Sequence, residues 1–192
     1  MSERSTHVVV IGGGFAGVAC ARTLTGQPDI RVTLLDRNGY HQFQPLLYQV
    51  ATAELDPADV SYDLEQMFAE HDNVQVRTAD VVAIDPQTHT VSLADGDTVT
   101  GDVLVLAAGA QANFFDVPGA AQHTFPLYTL DDALKLRERL RAVYTEAAAE
   151  GRPARGRSRS SSSAAARPVW RPPARWPSSS ARSCPASSRS SR

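Results

Sequence analysis

Cysteine is scarce in this sequence: the 192 residues include only Cys20 and Cys184. Two thiols so far apart suggest neither a disulfide framework nor a metal site, and without a C-x-x-C pair there is no dithiol for redox work. Cys20 falls in a stretch that reads as helix, where it serves as a small buried apolar residue. Long apolar runs are missing as well. No stretch reaches the roughly eighteen residues of a membrane span. The N-terminal Met1-Ser2-Glu3-Arg4-Ser5-Thr6-His7 lacks the apolar centre of a secretory signal, which makes the cytoplasm the expected compartment. Acids are absent from one entire region. Residues 1–150 carry all 21 acidic and 9 of the 19 basic residues, a formal −12. Residues 151–192 carry the other 10 bases, all arginine, a formal +10. Such asymmetry ordinarily points to a nucleic-acid-binding tail.

What is present begins with His7-Val8-Val9-Val10-Ile11-Gly12-Gly13-Gly14-Phe15-Ala16-Gly17. Val8–Ile11 reads as a buried strand of a parallel sheet. Val18, Ala19, Ala21 and Leu24 continue as a helix. Between them lies G-x-G-x-x-G, in the strand-to-helix setting that gives the motif meaning. Gly12 makes the tight turn, Gly14 lets a pyrophosphate approach the backbone, and Gly17 lets the helix pack close to the strand. Phe15 and Ala16 open the helix, whose free N–H groups face the phosphates. Ile30–Leu35 reads as a second strand ending in Asp36, the position of an acid that binds an adenosine ribose. Asp36 argues against a ribose 2′-phosphate, whereas Arg37 keeps that option open.

Further along, Pro45 suits the first turn of a helix carrying Leu46, Leu47 and Val50. Residues 57–70 read as one helix with Val60, Leu64, Met67 and Phe68 on a single face. Residues 73–77 form a third parallel strand. Residues 81–85, 90–94 and 98–100 follow as an antiparallel piece, its last two strands joined at Asp95-Gly96-Asp97. Asp102–Ala110 reads as another buried parallel strand that ends in small residues, where backbone and ligand can meet. Thr129 caps a long helix, with Asp131 and Asp132 in its first turn and Leu130, Leu134, Leu136, Leu140 and Val143 as its apolar face. The fold class is α/β: a Rossmann-like dinucleotide-binding domain over 1–150, with a parallel sheet and an antiparallel β crossover.

These residues resemble the FAD-dependent pyridine nucleotide oxidoreductases, and among them the type II NADH dehydrogenases. The resemblance covers about residues 7–150. It rests on Val-Ile-Gly-Gly-Gly-Phe-Ala-Gly at 10–17, Leu-Leu-Asp-Arg-Asn at 34–38, and Tyr-His-Gln-Phe-Gln-Pro-Leu-Leu-Tyr-Gln-Val-Ala-Thr at 40–52. Val-Leu-Ala-Ala-Gly-Ala at 105–110 looks like the family's second FAD motif, with Ala108 in place of its usual threonine. The resemblance implies FAD as cofactor, held by Gly12, Gly14, Phe15, Ala16, Gly17, Asp36, Arg37, Gln44, Pro45, Val82, Ala108 and Gly109. It implies NADH and a quinone as partners, and peripheral contact of the complete protein with the cytoplasmic face of a membrane. No metal and no catalytic acid, base or nucleophile is expected, because the cofactor carries the chemistry. A NAD-binding module of another dehydrogenase is the alternative.

The family next requires a second glycine-rich turn, for NADH, and later a segment that closes over the flavin and a membrane anchor. Residues 151–192 are instead Arg, Ser, Pro and Ala, a composition that predicts a disordered tail. The genetic code offers a reason. Read one base out of frame, with G or C at most third positions, Ser160–Trp170 becomes Val-Val-Val-Val-Gly-Gly-Gly-Pro-Thr-Gly-Val. That is a second strand and G-x-G-x-x-G turn. The expectation is a chain whose tail is out of frame, truncated and inactive by itself, with no nucleic-acid partner.

Overall fold

A computed structural model describes residues 5–149; the tail expected to be disordered and out of frame lies outside the described residues. The chain runs from β1 (Thr6–Ile11) through α1 (Phe15–Leu24) to β2 (Ile30–Asp36) and β3 (Tyr40–Gln42). A 3₁₀ turn, Gln44–Leu46, leads into α2 (Leu47–Ala51). A second, Pro57–Asp59, precedes β4 (Ser61–Asp63), α3 (Leu64–Phe68) and β5 (Val74–Thr78). Then come β6 (Val81–Asp85), β7 (Thr90–Leu93), β8 (Thr98–Thr100) and β9 (Val103–Leu106). α4 (Ala120–His123) and α5 (Leu130–Ala149) follow.

The main sheet is parallel, in the order β5-β2-β1-β9. Successive strand residues face opposite sides, and both sides are covered. Val8, Val10, Val32 and Leu34 pack under Val18 and Ala21 of α1 and Leu64 and Phe68 of α3. Val9, Ile11 and Leu35 pack against Val91 and Leu93 of β7. Burial on two faces is why β1 and β2 are near-continuous apolar runs. The antiparallel sheet β6-β7-β8 is the crossover expected from the sequence. Its β7–β8 turn is pinned from β5, where the Arg77 guanidinium donates to Asp95 at 3.0 Å and Asp97 at 2.7 Å.

Two elements depart from the sequence reading. The single helix expected over 57–70 is broken into a 3₁₀ turn, β4 and α3. Asp56 and Asp59 close a capping box around the short turn, and Asp63 restarts the helix by accepting from the Gln66 N–H at 2.8 Å. Between them the chain is extended and pairs with β3. The apolar residues are buried as expected, but in different places. Val60 joins α2 and α5, whereas Leu64 and Phe68 pack under the main sheet.

The second departure is β9, expected to be buried. It lies at the sheet edge with β1 as its one neighbour among the described strands, and Leu106 is 67% exposed. The apolar face of α5 is likewise buried only at Leu130 and Ala133, in its first turn.

Below the sheet, one side chain ties three segments together. The Asn73 amide donates to Leu24 O at 2.9 Å and Ile30 O at 3.1 Å, and its oxygen accepts from the Gly26 N–H at 3.1 Å. Asn73→Ala strands these groups, at about 1–3 kcal/mol. The expected outcome is a urea midpoint lowered by that amount divided by an unchanged m-value, and an unmoved midpoint would refute it.

Candidate functional site

The site lies where the carboxyl ends of β1, β2 and β9 meet the turn into α1. The turn is built peptide by peptide. The Gly12 N–H donates to Leu35 O at 2.7 Å. Gly12 has φ +109°, and a Cβ there would lie 2.3 Å from Ala107 O, so the end of β9 presses directly on its backbone. The Gly12 carbonyl in turn abuts α1: a Cβ on Gly17 would lie 1.7 Å from it. Gly14 is the reverse case, since a Cβ there would meet nothing within 4 Å.

Asp36 faces this turn from the end of β2. Its Oδ2 accepts from the Gly13 N–H at 2.5 Å and its Oδ1 from the Asn38 N–H at 2.7 Å. Each carboxylate oxygen keeps a second lone pair for an incoming hydroxyl. Nearby, burial and then the Asp36 and Asp131 carboxylates raise the Tyr40 phenol above its usual range, so it stays a neutral hydroxyl. Arg37 points along the surface and pairs with Asp80 at 3.3 Å. Both side chains are exposed, and such a pair adds little stability.

An open cleft of about 610 Å³ runs from this point. It brings together Gly12, Asp36, Arg37, Ala108 and Gly109 of the candidate residues, with Val81, Ile84 and Thr129 on other walls. Gly14, Phe15, Ala16 and Gly17 sit beside it at the start of α1, and Gln44 and Pro45 at the turn into α2. The Val82 side chain is exposed and does not line the cleft; its neighbour Val81 does.

α1 begins without help from its own sequence. Its N-cap, Gly14, has no side chain to cap with, and its first turn holds no acid. Among the described residues, the N–H groups of Gly14, Phe15 and Ala16 find no acceptor. A cluster of free N–H groups at the positive end of a helix dipole is an anion site.

Two residues of the 40–52 stretch that sequence reasoning left without a role prove to hold the site together. His41 is buried, with Nδ1 at 2.9 Å from Gly13 O and its ring edge-on to Phe15. Gln42 donates to Tyr128 O at 2.7 Å and accepts from the Leu130 N–H at 3.0 Å, which holds Thr129 at the cleft wall. The signal for both was polarity: two polar side chains inside a strand whose one partner among the described strands is β4 need partners elsewhere.

Comparison with known proteins identifies the family. Residues 6–149 match the model of the pyridine nucleotide-disulphide oxidoreductase family. The chain belongs to that family. It is 41% identical over 144 residues to the type II NADH:quinone oxidoreductase NdhA of Mycobacterium tuberculosis, covering 73% of this chain and 30% of that protein. It is 34% identical over 155 residues to a second such enzyme of that organism, Ndh, covering 79% and 33%. The solved sulfide:quinone oxidoreductase of Aquifex aeolicus superimposes with a TM-score of 0.66 at 30% identity, over 73% of this chain and 33% of that one. This chain therefore spans about a third of the length of the relatives it matches. Among the described residues no helix is long and apolar enough to cross a membrane.

The sterics of the turn separate two glycines. At Gly14, with φ −76° and open space ahead, Gly14→Val is expected to melt at the wild-type temperature. Gly17→Val drives a branched side chain into the Gly12 carbonyl and is expected to lower Tm by about 10 °C or more, or to prevent folding. Circular dichroism melts of the two variants decide it, and equal melting temperatures would contradict the packing described.

Proposed function

We propose that residues 6–149 are the FAD-binding portion of an NADH:quinone-type oxidoreductase. The observation that carries this reading is the start of α1: the N–H groups of Gly14, Phe15 and Ala16 find no acceptor among the described residues, and a Cβ on Gly14 would meet nothing within 4 Å. The group fits these residues. Gly14, Phe15 and Ala16 would take the pyrophosphate, with Gly12 and Gly17 shaping the turn. Asp36 would accept from the adenosine ribose, and the cleft lined by Ala108, Gly109 and Val81 would hold the adenosine side. With a methyl at Ala108 and no side chain at Gly109, a ligand could approach the backbone just after β9. The Asp36 carboxylate would repel a 2′-phosphate, which favours a ribose without one; Arg37 pairs with Asp80 only at the surface. Gln44, Pro45 and Val82 rest on the family resemblance alone.

When bound, FAD supplies the two-electron chemistry that takes a hydride from NADH and delivers electrons to a quinone. The chain's own part is to bind and orient. The relatives' names, type II NADH:quinone oxidoreductase, support the acceptor class. Peripheral contact with the cytoplasmic face of a membrane belongs to the same reading of the complete protein. The proposal includes the tail: residues 151–192 as an out-of-frame reading of a second, NADH-binding glycine turn, and the 192-residue polypeptide as inactive alone.

Two measurements test this. Purified protein should bind FAD, and Asp36→Ala should weaken binding by about 1.5–3 kcal/mol for each ribose bond lost. Unchanged affinity would remove Asp36 from the site. The second is NADH consumption with a soluble quinone. Hydride transfer needs the nicotinamide about 3–3.5 Å from the flavin, and holding it there is worth roughly 7–11 kcal/mol. The chain as it stands should show negligible turnover, and a version with the frame repaired near codons 151–157 should be active. Equal turnover by the two would overturn the reading of the tail.

A further inference from the structure

We infer that His41 is a positioning residue for the dinucleotide pyrophosphate, acting through the Gly13–Gly14 peptide; the inference rests on the FAD reading above. A carbonyl oxygen only accepts, so the 2.9 Å contact to Gly13 O requires the proton on Nδ1. The peptide between Gly13 and Gly14 is trans. In a trans peptide the carbonyl and the following N–H point in opposite directions. Drawing the Gly13 carbonyl toward His41 therefore turns the Gly14 N–H away from it, and that N–H finds no acceptor among the described residues.

The preceding peptide is fixed from the other side. Asp36 takes the Gly13 N–H, and the Leu64 side chain closes against the Gly13 Cα, where a Cβ would come within 2.5 Å of it. Gly13 is thus gripped at its N–H by β2, at its carbonyl by β3 and at its Cα by α3. A glycine turn left to itself has many accessible conformations. Held this way, it presents its N–H groups before the anion arrives, and the ligand is spared the ordering cost. The His41 ring is buried and packed edge-on against Phe15 at 5.1 Å, so the bond to Gly13 is shielded from competing water. His41 touches no phosphate in this scheme.

The test uses the full chain, two variants and three ligands. Leu replaces the ring volume without a donor in His41→Leu, whereas the amide of His41→Asn places an N–H close to the Nδ1 position. Binding of FAD, ADP and adenosine is measured for each. For His41→Leu, FAD and ADP should bind about tenfold more weakly, with adenosine unchanged. His41→Asn should recover most of the loss. In the wild type, a long-range ¹⁵N spectrum should show the neutral ring protonated on Nδ1. That measurement holds even if His41→Leu fails to fold. A ring without a proton on Nδ1 overturns the inference. So does wild-type FAD affinity in His41→Leu, or an equal loss for adenosine, which marks a merely structural role. Failure of the wild type to bind FAD overturns the cofactor reading itself, and the inference with it.

Discussion

Four consecutive backbone groups between Ile11 and Gly14 are each committed to a different partner, and the site depends on that commitment. The Gly12 N–H goes to β2, the Gly12 carbonyl lies against α1, the Gly13 N–H goes to Asp36, and the Gly13 carbonyl goes to His41. The first group left over is the Gly14 N–H. None of the partners is local in the sense of a hairpin turn. They come from residues 17, 35, 36 and 41, and the end of β9 at Ala107 adds a fifth contact. The turn can hold its shape only once the strand order β2-β1-β9 has formed, which couples the site to the assembly of the sheet.

That coupling explains which parts could be read from the chain alone. The glycine spacing, the apolar runs and the acid at the end of β2 are local patterns with fixed periods, and the strands and turn they imply are present. Asp36 was legible as a carboxylate at the cleft, yet nothing in the spacing announced that both its oxygens would already accept from Gly13 and Asn38. The helix expected over 57–70 failed for a tertiary reason. Its apolar periodicity is real, but Val60 and Leu64 are claimed by two different clusters, and the chain extends between them to pair with β3. His41 and Gln42 were visible only as polar residues in an otherwise undistinguished strand. Their partners lie 28 and 86–88 residues away in sequence, beyond the reach of pattern reasoning.

The expected burial of β9 turned on the same limit. An apolar run of four residues, Val103–Leu106, reads as a central strand, and its pairing with β1 is in register from Val8 to Ile11. Its other edge has no strand among the described residues, and a strand edge leaves backbone donors and acceptors unpaired. Sequence composition reports how apolar a strand is; how many neighbours it has is a property of the whole assembly.

The helix N-termini sharpen the functional argument. α3 starts on Asp63, which caps Gln66. α5 starts on Thr129, whose hydroxyl accepts from Asp132 while the Asp132 carboxylate accepts from Thr129 in return. The 3₁₀ turn at Pro57 has its own reciprocal pair in Asp56 and Asp59. Each of these starts is satisfied from within the chain, as a structural helix requires. α1, α2 and α4 have no side-chain cap and no acid in the first turn, and of these α1 is the ten-residue helix that follows the glycine turn. A glycine N-cap costs only about a few tenths of a kcal/mol relative to Ser or Asp, and this helix packs against the centre of the main sheet. At α1 the uncapped donors follow directly on the glycine turn that Asp36 and His41 hold in place. An anion brought by a ligand is the partner that such a helix start accepts, with the dipole in its favour.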